Sequence, residues 1–100
     1  MRQVSRQKKG GARPSTKILD LPVLGRRLAA LKSAGKTVVH CHGVFDLLHV
    51  GHVRHFEEAR RLGDVLVVTI TPDRYVNKGP HRPAFPQALR AEVVAALGTV

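Results

Sequence analysis

The segment Gly43-Val44-Phe45-Asp46-Leu47-Leu48-His49-Val50-Gly51-His52 carries two histidines around a glycine near the middle of the 100-residue chain. Residues 37–42, directly before it, are mostly apolar and β-branched, which is typical of a strand covered on both faces. From about residue 52 to residue 62 the apolar residues recur at helical spacing. The pattern therefore predicts a strand, a turn with two histidines, and a helix that begins at the turn.

The sequence on either side extends this unit to an α/β fold. Residues 65–70 form a second apolar segment, so strand, helix and strand predict a right-handed βαβ unit. Helically spaced apolar residues predict an earlier helix over residues 20–34 and a later one over residues 87–97. Thr99 and Val100 would begin a third strand. We expect a Rossmann-like parallel sheet with flanking helices that is incomplete, and therefore further sequence on the C-terminal side.

The net charge of +10 is distributed unevenly along the chain. Residues 1–17 hold six Lys or Arg and no acidic residue, so we predict a basic disordered tail over 1–17 and a folded unit over 18–100. A nucleic-acid-binding arm is the alternative, but the tail has no aromatic residue that could stack on bases, so nucleic acid is not expected as a partner.

Two further features of the composition indicate the cellular location of the protein. No apolar run reaches the roughly 20 residues that cross a bilayer, so no contact with a membrane is expected. The single cysteine, Cys41, excludes an internal disulfide framework. We therefore expect a cytoplasmic protein.

The predicted turn has the residue types that bind a phosphate group. His49 and His52 can donate hydrogen bonds to phosphate oxygens, and the N-terminus of the next helix adds free N–H groups and a positive dipole end. Gly51 lets the backbone approach the anion because it has no Cβ, and Gly43 leaves room at the end of the strand. Since open α/β sheets bind ligands at the carboxyl ends of their strands, we expect a phosphate site here.

A metal site is the alternative interpretation of this histidine-rich region. His40 and His42 would add two candidates to the pair in the turn, and zinc needs three or four ligands that converge. We expect His40 and His42 to point to opposite faces of the strand, where they could not share a metal. No metal-binding residue is therefore predicted.

This combination of strand, motif and helix resembles the cytidylyltransferase-like nucleotidyltransferases, whose signature is a His-x-Gly-His motif. The resemblance covers about residues 37–97. It implies that His49 and His52 stabilise the phosphate during transfer, and that Gly51 belongs to the nucleotide site with them. It also implies nucleotide contacts from the backbone of Gly43, Val44 and Phe45. It further implies an organising carboxylate at Asp46. A plain turn residue is the alternative for Asp46.

The loop Asn77-Lys78-Gly79-Pro80-His81-Arg82-Pro83 narrows the resemblance. It is similar to the basic loop of the sugar-phosphate adenylyltransferases that make ADP-heptose. This similarity implies that Lys78 is catalytic, that Arg82 grips a phosphate in a bidentate manner, and that Arg90 faces the nucleotide from the next helix. The alternatives are a solvated basic loop and an ordinary surface charge.

The resemblance implies an enzyme that transfers a nucleoside monophosphate from ATP or CTP to a sugar phosphate and releases pyrophosphate. Mg²⁺ would bridge the phosphates, and the partners would be a nucleoside triphosphate and a phosphorylated small molecule. Two alternatives stay open, an enzyme like glycerol-3-phosphate cytidylyltransferase and a non-catalytic nucleotide-binding or nucleic-acid-binding module. The oligomeric state is open, with a homodimer as one alternative.

One part of the family pattern is absent from these 100 residues. The family carries a later Ser/Thr-rich turn with an arginine that binds the β- and γ-phosphates, and nothing after Arg90 supplies it. We therefore expect the chain alone to be an incomplete nucleotidyltransferase.

Overall fold

The computed structural model describes residues 3–5, 14–76 and 79–100. These residues form four strands and three α-helices in the order β1 (Gln3–Ser5), β2 (Ile18–Leu19), α1 (Leu21–Ser33), β3 (Val38–Gly43), α2 (Val50–Arg61), β4 (Val65–Ile70) and α3 (Gln87–Ala95). Short 3-10 turns lie at Pro14–Lys17 and Asp73–Tyr75. No helix among the described residues is long and apolar enough to span a bilayer.

The two long strands run parallel, as predicted. They pair in register from Val38 opposite Val65 to Gly43 opposite Ile70, so their carboxyl ends reach the same edge of the sheet. The sheet order is β2-β1-β4-β3, and the two short strands are antiparallel additions that the sequence did not indicate. The α/β class with flanking helices is confirmed.

The core lies on one face of the sheet, beneath α2 and α3. Apolar side chains of β4 and of the two helices are almost fully buried there, among them Phe56, Leu66, Val68, Ile70 and Val94. Within the part of the chain that the structure describes, the other face is covered by α1, which buries only Leu24 and leaves Leu21 53% exposed. A cavity of about 360 Å³ lies between α1 and this second face. The two faces of the sheet are therefore packed to very different extents.

The structure differs from the predicted disordered tail in two places. Gln3–Ser5 form a strand that pairs with both β4 and β2. Lys17 is buried, and its Nζ donates hydrogen bonds to the carbonyl oxygens of Ala95 at 2.9 Å and Leu97 at 3.0 Å. Ala95 is the last residue of α3 and Leu97 follows it closely, so the ammonium group lies at the C-terminal end of the helix, where a cation is favoured by the helix dipole.

The predicted third strand does not form within the described residues. Residues 96–99 are turns and bends, and Val100 is fully buried against the core without belonging to a strand. Two residues of β-branched sequence were too little to distinguish a strand from an apolar side chain that closes the core.

The cap that Lys17 forms on α3 can be tested by substitution. We expect Lys17→Met to lower the free energy of unfolding by about 1–3 kcal/mol, because the buried carbonyl oxygen of Ala95 and the partly buried one of Leu97 lose a charged donor. Urea unfolding followed by circular dichroism measures the change. Lys36→Met, at an exposed position, is the control. Identical unfolding curves for the parent and Lys17→Met would place Lys17 in a disordered tail after all.

Candidate active site

The edge of the sheet where β3 and β4 end is the candidate site. The N–H of Thr71 donates to the carbonyl oxygen of Gly43 at 2.9 Å, which continues the pairing one residue beyond the last parallel pair. Residues 44–49 then cross this edge and lead into α2. The structure therefore brings the predicted turn, the end of β4 and the N-terminus of α2 together.

Two histidines cap the N-terminus of α2 by binding each other's backbone. His49 is the N-cap residue, and its Nδ1 accepts a hydrogen bond from the N–H of Gly51 at 3.0 Å. His52, three residues on, accepts from the N–H of His49 through its own Nδ1 at 3.2 Å. The arrangement is a capping box in which imidazoles replace the usual hydroxyl and carboxylate. The ring centroids lie 4.1 Å apart.

The cap fixes which nitrogen of each ring can donate outward. Because Nδ1 accepts a backbone N–H in both rings, the proton of each neutral imidazole lies on Nε2. His49 is exposed and His52 is half-buried. The cap thus leaves Nε2 as the donating nitrogen of each ring, beside the positive end of the helix dipole, which is an arrangement suited to an anion.

Gly51 is required by the cap itself. A Cβ at this position would lie 2.7 Å from Cε1 and 2.9 Å from Nδ1 of His49. Only glycine therefore allows the His49 ring to fold back over the first turn of α2. The sequence predicted a glycine here for close approach to a phosphate, whereas the structure gives the approach of an imidazole as the reason.

Phe45 holds the turn against the core. Its φ of 49° lies in the left-handed region, which is uncommon for a residue with a Cβ. The ring packs edge-on against Phe56 at 5.1 Å and against His52 at 5.8 Å. It also fills the space above Gly43, where a Cβ would lie 2.7 Å from the ring. Gly43 and Phe45 therefore act together to fix the position of His52.

Asp46 organises the loop that precedes α3. The side chain is almost fully buried and accepts hydrogen bonds from the N–H groups of Ala84 at 2.7 Å and Phe85 at 2.9 Å. Arg82 lies 3.4 Å from the same carboxylate. Burial alone would raise the pKa of this carboxyl, but the two N–H groups and the nearby Arg82 and Arg90 hold its pKa below the usual value. The predicted organising carboxylate is thus directed toward the protein.

Arg90 joins three segments of the site from below. It is 1% exposed, and its guanidinium donates to the carbonyl oxygens of Phe85 and Val44 at 3.0 and 2.8 Å and to the carboxylate of Asp73. These acceptors belong to the loop before α3, the turn after β3 and the turn after β4. In this arrangement the side chain positions the site and has almost no surface for a ligand. A nucleotide contact by Arg90 stays a prediction.

Three further residues, Arg82, Val44 and Lys78, were predicted to belong to the site. Arg82 is 34% exposed through its side chain and faces the Asp46 carboxylate, so its phosphate contact stays a prediction. The carbonyl of Val44 is engaged by Arg90, so a nucleotide contact by its backbone also stays a prediction. Lys78 lies outside the described residues.

The expectation that His40 and His42 point to opposite faces is wrong. Both rings bind the Oγ1 of Thr69, at 2.7 Å for His40 Nε2 and 2.6 Å for His42 Nδ1. Residues two apart in a strand share a face because side chains alternate with a period of two. His42 also lies 3.3 Å from Thr71 Oγ1, so these side chains form a polar row on the face that α1 leaves partly open.

The described residues do not offer a protein-held site for Mg²⁺. No cluster of three or more His, Cys, Asp or Glu side chains occurs among them. The Asp46 carboxylate, which lies nearest the turn, is surrounded by N–H donors and an arginine rather than by oxygen ligands. Magnesium carried by the phosphates of a substrate stays a prediction.

Two site residues escaped the sequence analysis. Asp73 and Gln87 meet at the end of β4, where the N–H of Asp73 donates to Oε1 of Gln87 at 3.3 Å. An acidic residue three positions after a buried parallel strand is a signal that could have identified Asp73. Asp73 was not predicted as a site residue because attention in this loop went to its basic residues, Lys78 and Arg82.

The sequence matches the family described as cytidylyltransferase-like over residues 40–100, which include the histidine cap and the whole candidate site. The chain belongs to this family. Among its curated relatives are proteins described as bifunctional protein HldE. The chain is 46% identical to that of Citrifermentans bemidjiense over 93 residues, 44% to that of Geobacter sulfurreducens over 86 and 42% to that of Halorhodospira halophila over 95.

These alignments cover most of this chain but only part of each relative. They include 90%, 84% and 91% of this chain, and 19%, 18% and 20% of the three relatives. The chain therefore spans about a fifth of the length of the relatives it matches. The resemblance to the cytidylyltransferase-like family is confirmed.

The charge on Asp46 gives a pH-dependent prediction. Its pKa is lower in the folded than in the unfolded state, so its contribution to stability is complete above the unfolded value of about 3.9 and is lost as the pH falls through the folded value. We expect Asp46→Asn to be less stable than the parent at pH 7. The difference should shrink as the pH is lowered from about 5 to about 2.

Urea unfolding at a series of pH values measures both parts of this prediction. Glu58→Gln, which removes an exposed negative charge from α2, is the control for net charge. A difference between parent and Asp46→Asn that stays constant over the whole range would show that the carboxylate form does not stabilise the loop.

Proposed function

We propose that this chain forms the amino-terminal part of a nucleotidyltransferase that transfers a nucleoside monophosphate from ATP or CTP to a sugar phosphate. The observation that carries the proposal is the histidine cap. It presents two Nε2–H donors at a helix N-terminus, at the carboxyl edge of a parallel sheet. Membership of the cytidylyltransferase-like family supports the same reaction class.

The reaction is an in-line displacement at the α-phosphorus. An oxygen of the acceptor phosphate forms a bond to this phosphorus, and the bond to the bridging oxygen of pyrophosphate breaks, so pyrophosphate leaves with the electron pair. Negative charge grows on the α-phosphate oxygens and on the leaving group. Catalysis of such a step depends mainly on positioning and on donors already aimed at the developing charge.

His49 and His52 supply these donors. Their Nε2–H groups are directed before substrate arrives, because each Nδ1 is already committed to a backbone N–H. The positive end of the α2 dipole adds to the same field. Phe45 and the core residue Phe56 hold the His52 ring in place, so little reorganisation is needed when charge develops.

The acceptor class is supported by the loop before α3. Gly79 to Pro83 continue the similarity to the sugar-phosphate adenylyltransferases, and Asp46 and Arg90 anchor this loop beside the histidine cap. The choice of base, the cytoplasmic location, the homodimer and the bound Mg²⁺ stay predictions from the sequence. Glycerol 3-phosphate is the rival acceptor. Release of pyrophosphate, measured for each pairing of ATP or CTP with a hexose 1-phosphate or glycerol 3-phosphate, distinguishes these cases.

The catalytic role of His49 and His52 can be tested separately from their structural role in capping α2. Asp is a strong N-cap residue and Glu completes a capping box at the third position, so His49→Asp and His52→Glu keep the helix capped with side chains that have no N–H donor. We expect each variant of the full-length protein to lose about 10²-fold or more in kcat, since each removes one charge-stabilising donor. Urea midpoints should stay close to that of the parent.

His55→Glu is the matched control, because His55 is an exposed residue of α2 outside the cap and the substitution makes the same chemical change. It should keep the kcat of the parent. Turnover within threefold of the parent in both cap variants would remove the histidines from the mechanism. A loss of activity that tracks a loss of helix content would assign them a structural role only.

A second prediction concerns completeness. Residues 1–100 alone should release pyrophosphate at a negligible rate and bind ATP or CTP weakly, because they lack the later family segment that binds the β- and γ-phosphates. Calorimetry with each nucleotide and the pyrophosphate assay test this directly. Turnover by the 100-residue chain at the rate of the full-length protein would contradict it.

A further inference from the structure

A small polar cavity lies beside the histidine cap, at the carboxyl end of β4. Its volume is about 360 Å³, and it is lined by Pro72, Asp73, Arg74 and Gln87. The parallel register and the Thr71 to Gly43 hydrogen bond place the ends of β3 and β4 side by side, so the cavity and the cap share one edge of the sheet. None of the four lining residues has a role in the reaction described above.

Asp73 contributes a carboxylate that is fixed before any ligand binds. Its Oδ1 accepts from the buried guanidinium of Arg90 at 2.5 Å, and its side chain is still 42% exposed. Arg90 cannot move to follow a ligand, because the same guanidinium also binds the carbonyls of Val44 and Phe85. The carboxylate therefore keeps a fixed orientation and has surface left with which to accept further hydrogen bonds.

Gln87 and Arg74 add donors of two kinds. Gln87 uses its Oε1 to accept from the N–H of Asp73, which leaves its Nε2 hydrogens as donors. The guanidinium of Arg74 lies 5.0 Å from the ring centroid of Tyr75, a cation–π contact that holds it over an aromatic face that is itself 65% exposed. The residues that line the cavity thus include a carboxylate, an amide and an arginine whose guanidinium lies over the neighbouring Tyr75 ring.

This combination fits a hydroxylated molecule that also carries an anionic group. A hydroxyl group can donate to the carboxylate and accept from the amide at once, and a guanidinium pairs with a phosphate. The triphosphate of a nucleotide is received at the histidine cap in the proposed function, and its ribose brings no second anion. A hydroxyl site with its own guanidinium therefore suits the second substrate better than the nucleoside.

We propose that Asp73, Gln87 and Arg74 form the subsite that binds the hydroxyl-bearing part of the phosphorylated acceptor, with Asp73 as its specificity-determining residue. This inference rests on the proposed function and extends it, since it assigns the acceptor to one side of the cap. Arg90 serves as the positioning residue that holds the Asp73 carboxylate toward the cavity.

The test separates acceptor binding from nucleotide binding in the full-length protein. Asp73→Asn keeps an oxygen for Arg90 but loses the negative charge, and Gln87→Ala leaves the Asp73–Arg90 pair intact. We expect each variant to raise KM for a hexose 1-phosphate by about tenfold or more, the size expected when a hydrogen bond to a charged group is lost. The KM for the nucleotide should stay within twofold.

Asp64→Asn is the matched control, because this carboxylate accepts from the N–H of Thr37 at the opposite end of the sheet. It should leave both KM values unchanged. Urea midpoints of all variants exclude unfolding as the cause. A rise in KM for the nucleotide equal to that for the acceptor, or no rise in either, would overturn the assignment.

A failure of the proposed function is distinguishable from a failure of the subsite. If no nucleotide gives pyrophosphate, the proposed function fails, and the subsite is then tested by titrating the ¹⁵N-labelled chain with a hexose 1-phosphate and with inorganic phosphate. Backbone amide shifts at Asp73 and Gln87 that occur only with the sugar phosphate, and disappear in Asp73→Asn, support the subsite. Equal shifts with inorganic phosphate, or none, overturn it.

Discussion

The buried guanidinium of Arg90 is the interaction on which the whole site depends. A charged group that is 1% exposed is costly to bury, and it is tolerated here because three acceptors from three separate segments surround it. Removing one acceptor would leave part of a buried cation without a partner, so the three segments are held cooperatively. The turn after β3, the turn after β4 and the loop before α3 therefore take up one relative arrangement.

A second anchor of opposite sign lies a short distance away. Asp46 collects two N–H groups and a nearby arginine, and Arg90 collects two carbonyls and a carboxylate, so the end of the loop next to α3 is bound through its backbone at Ala84 and Phe85. Side chains that bind backbone groups can fix a loop whatever its other residues are. The structure thus keeps the loop in place while leaving its outward-facing residues free to contact a ligand.

Much of the fold could be predicted from the sequence, because its signals are local. The helices and the two parallel strands followed from apolar periodicity, and the histidine turn followed from its position between them. The strand at Gln3–Ser5 and the buried Lys17 could not be predicted, since their partners lie about 65 to 80 residues away along the chain. Nothing in a short polar segment indicates such partners.

The candidate site shows the same division between local and distant partners. His49 and His52 were identified because the motif that contains them is continuous in the sequence. Arg90 was predicted to face the nucleotide, and its three acceptors, 5, 17 and 46 residues away, could not be predicted from its own helix. The error over His40 and His42 was of another kind, since the strand period alone places them on one face.

The two glycines of the motif show how mutational data on this turn should be interpreted. At each of them the volume of the missing Cβ is taken by a ring, that of Phe45 at Gly43 and that of His49 at Gly51. A methyl group at either position would push an aromatic or imidazole ring away before any substrate was present. In a saturation scan both glycines would therefore be as intolerant as ligand-binding positions, although what they accommodate is a neighbouring side chain.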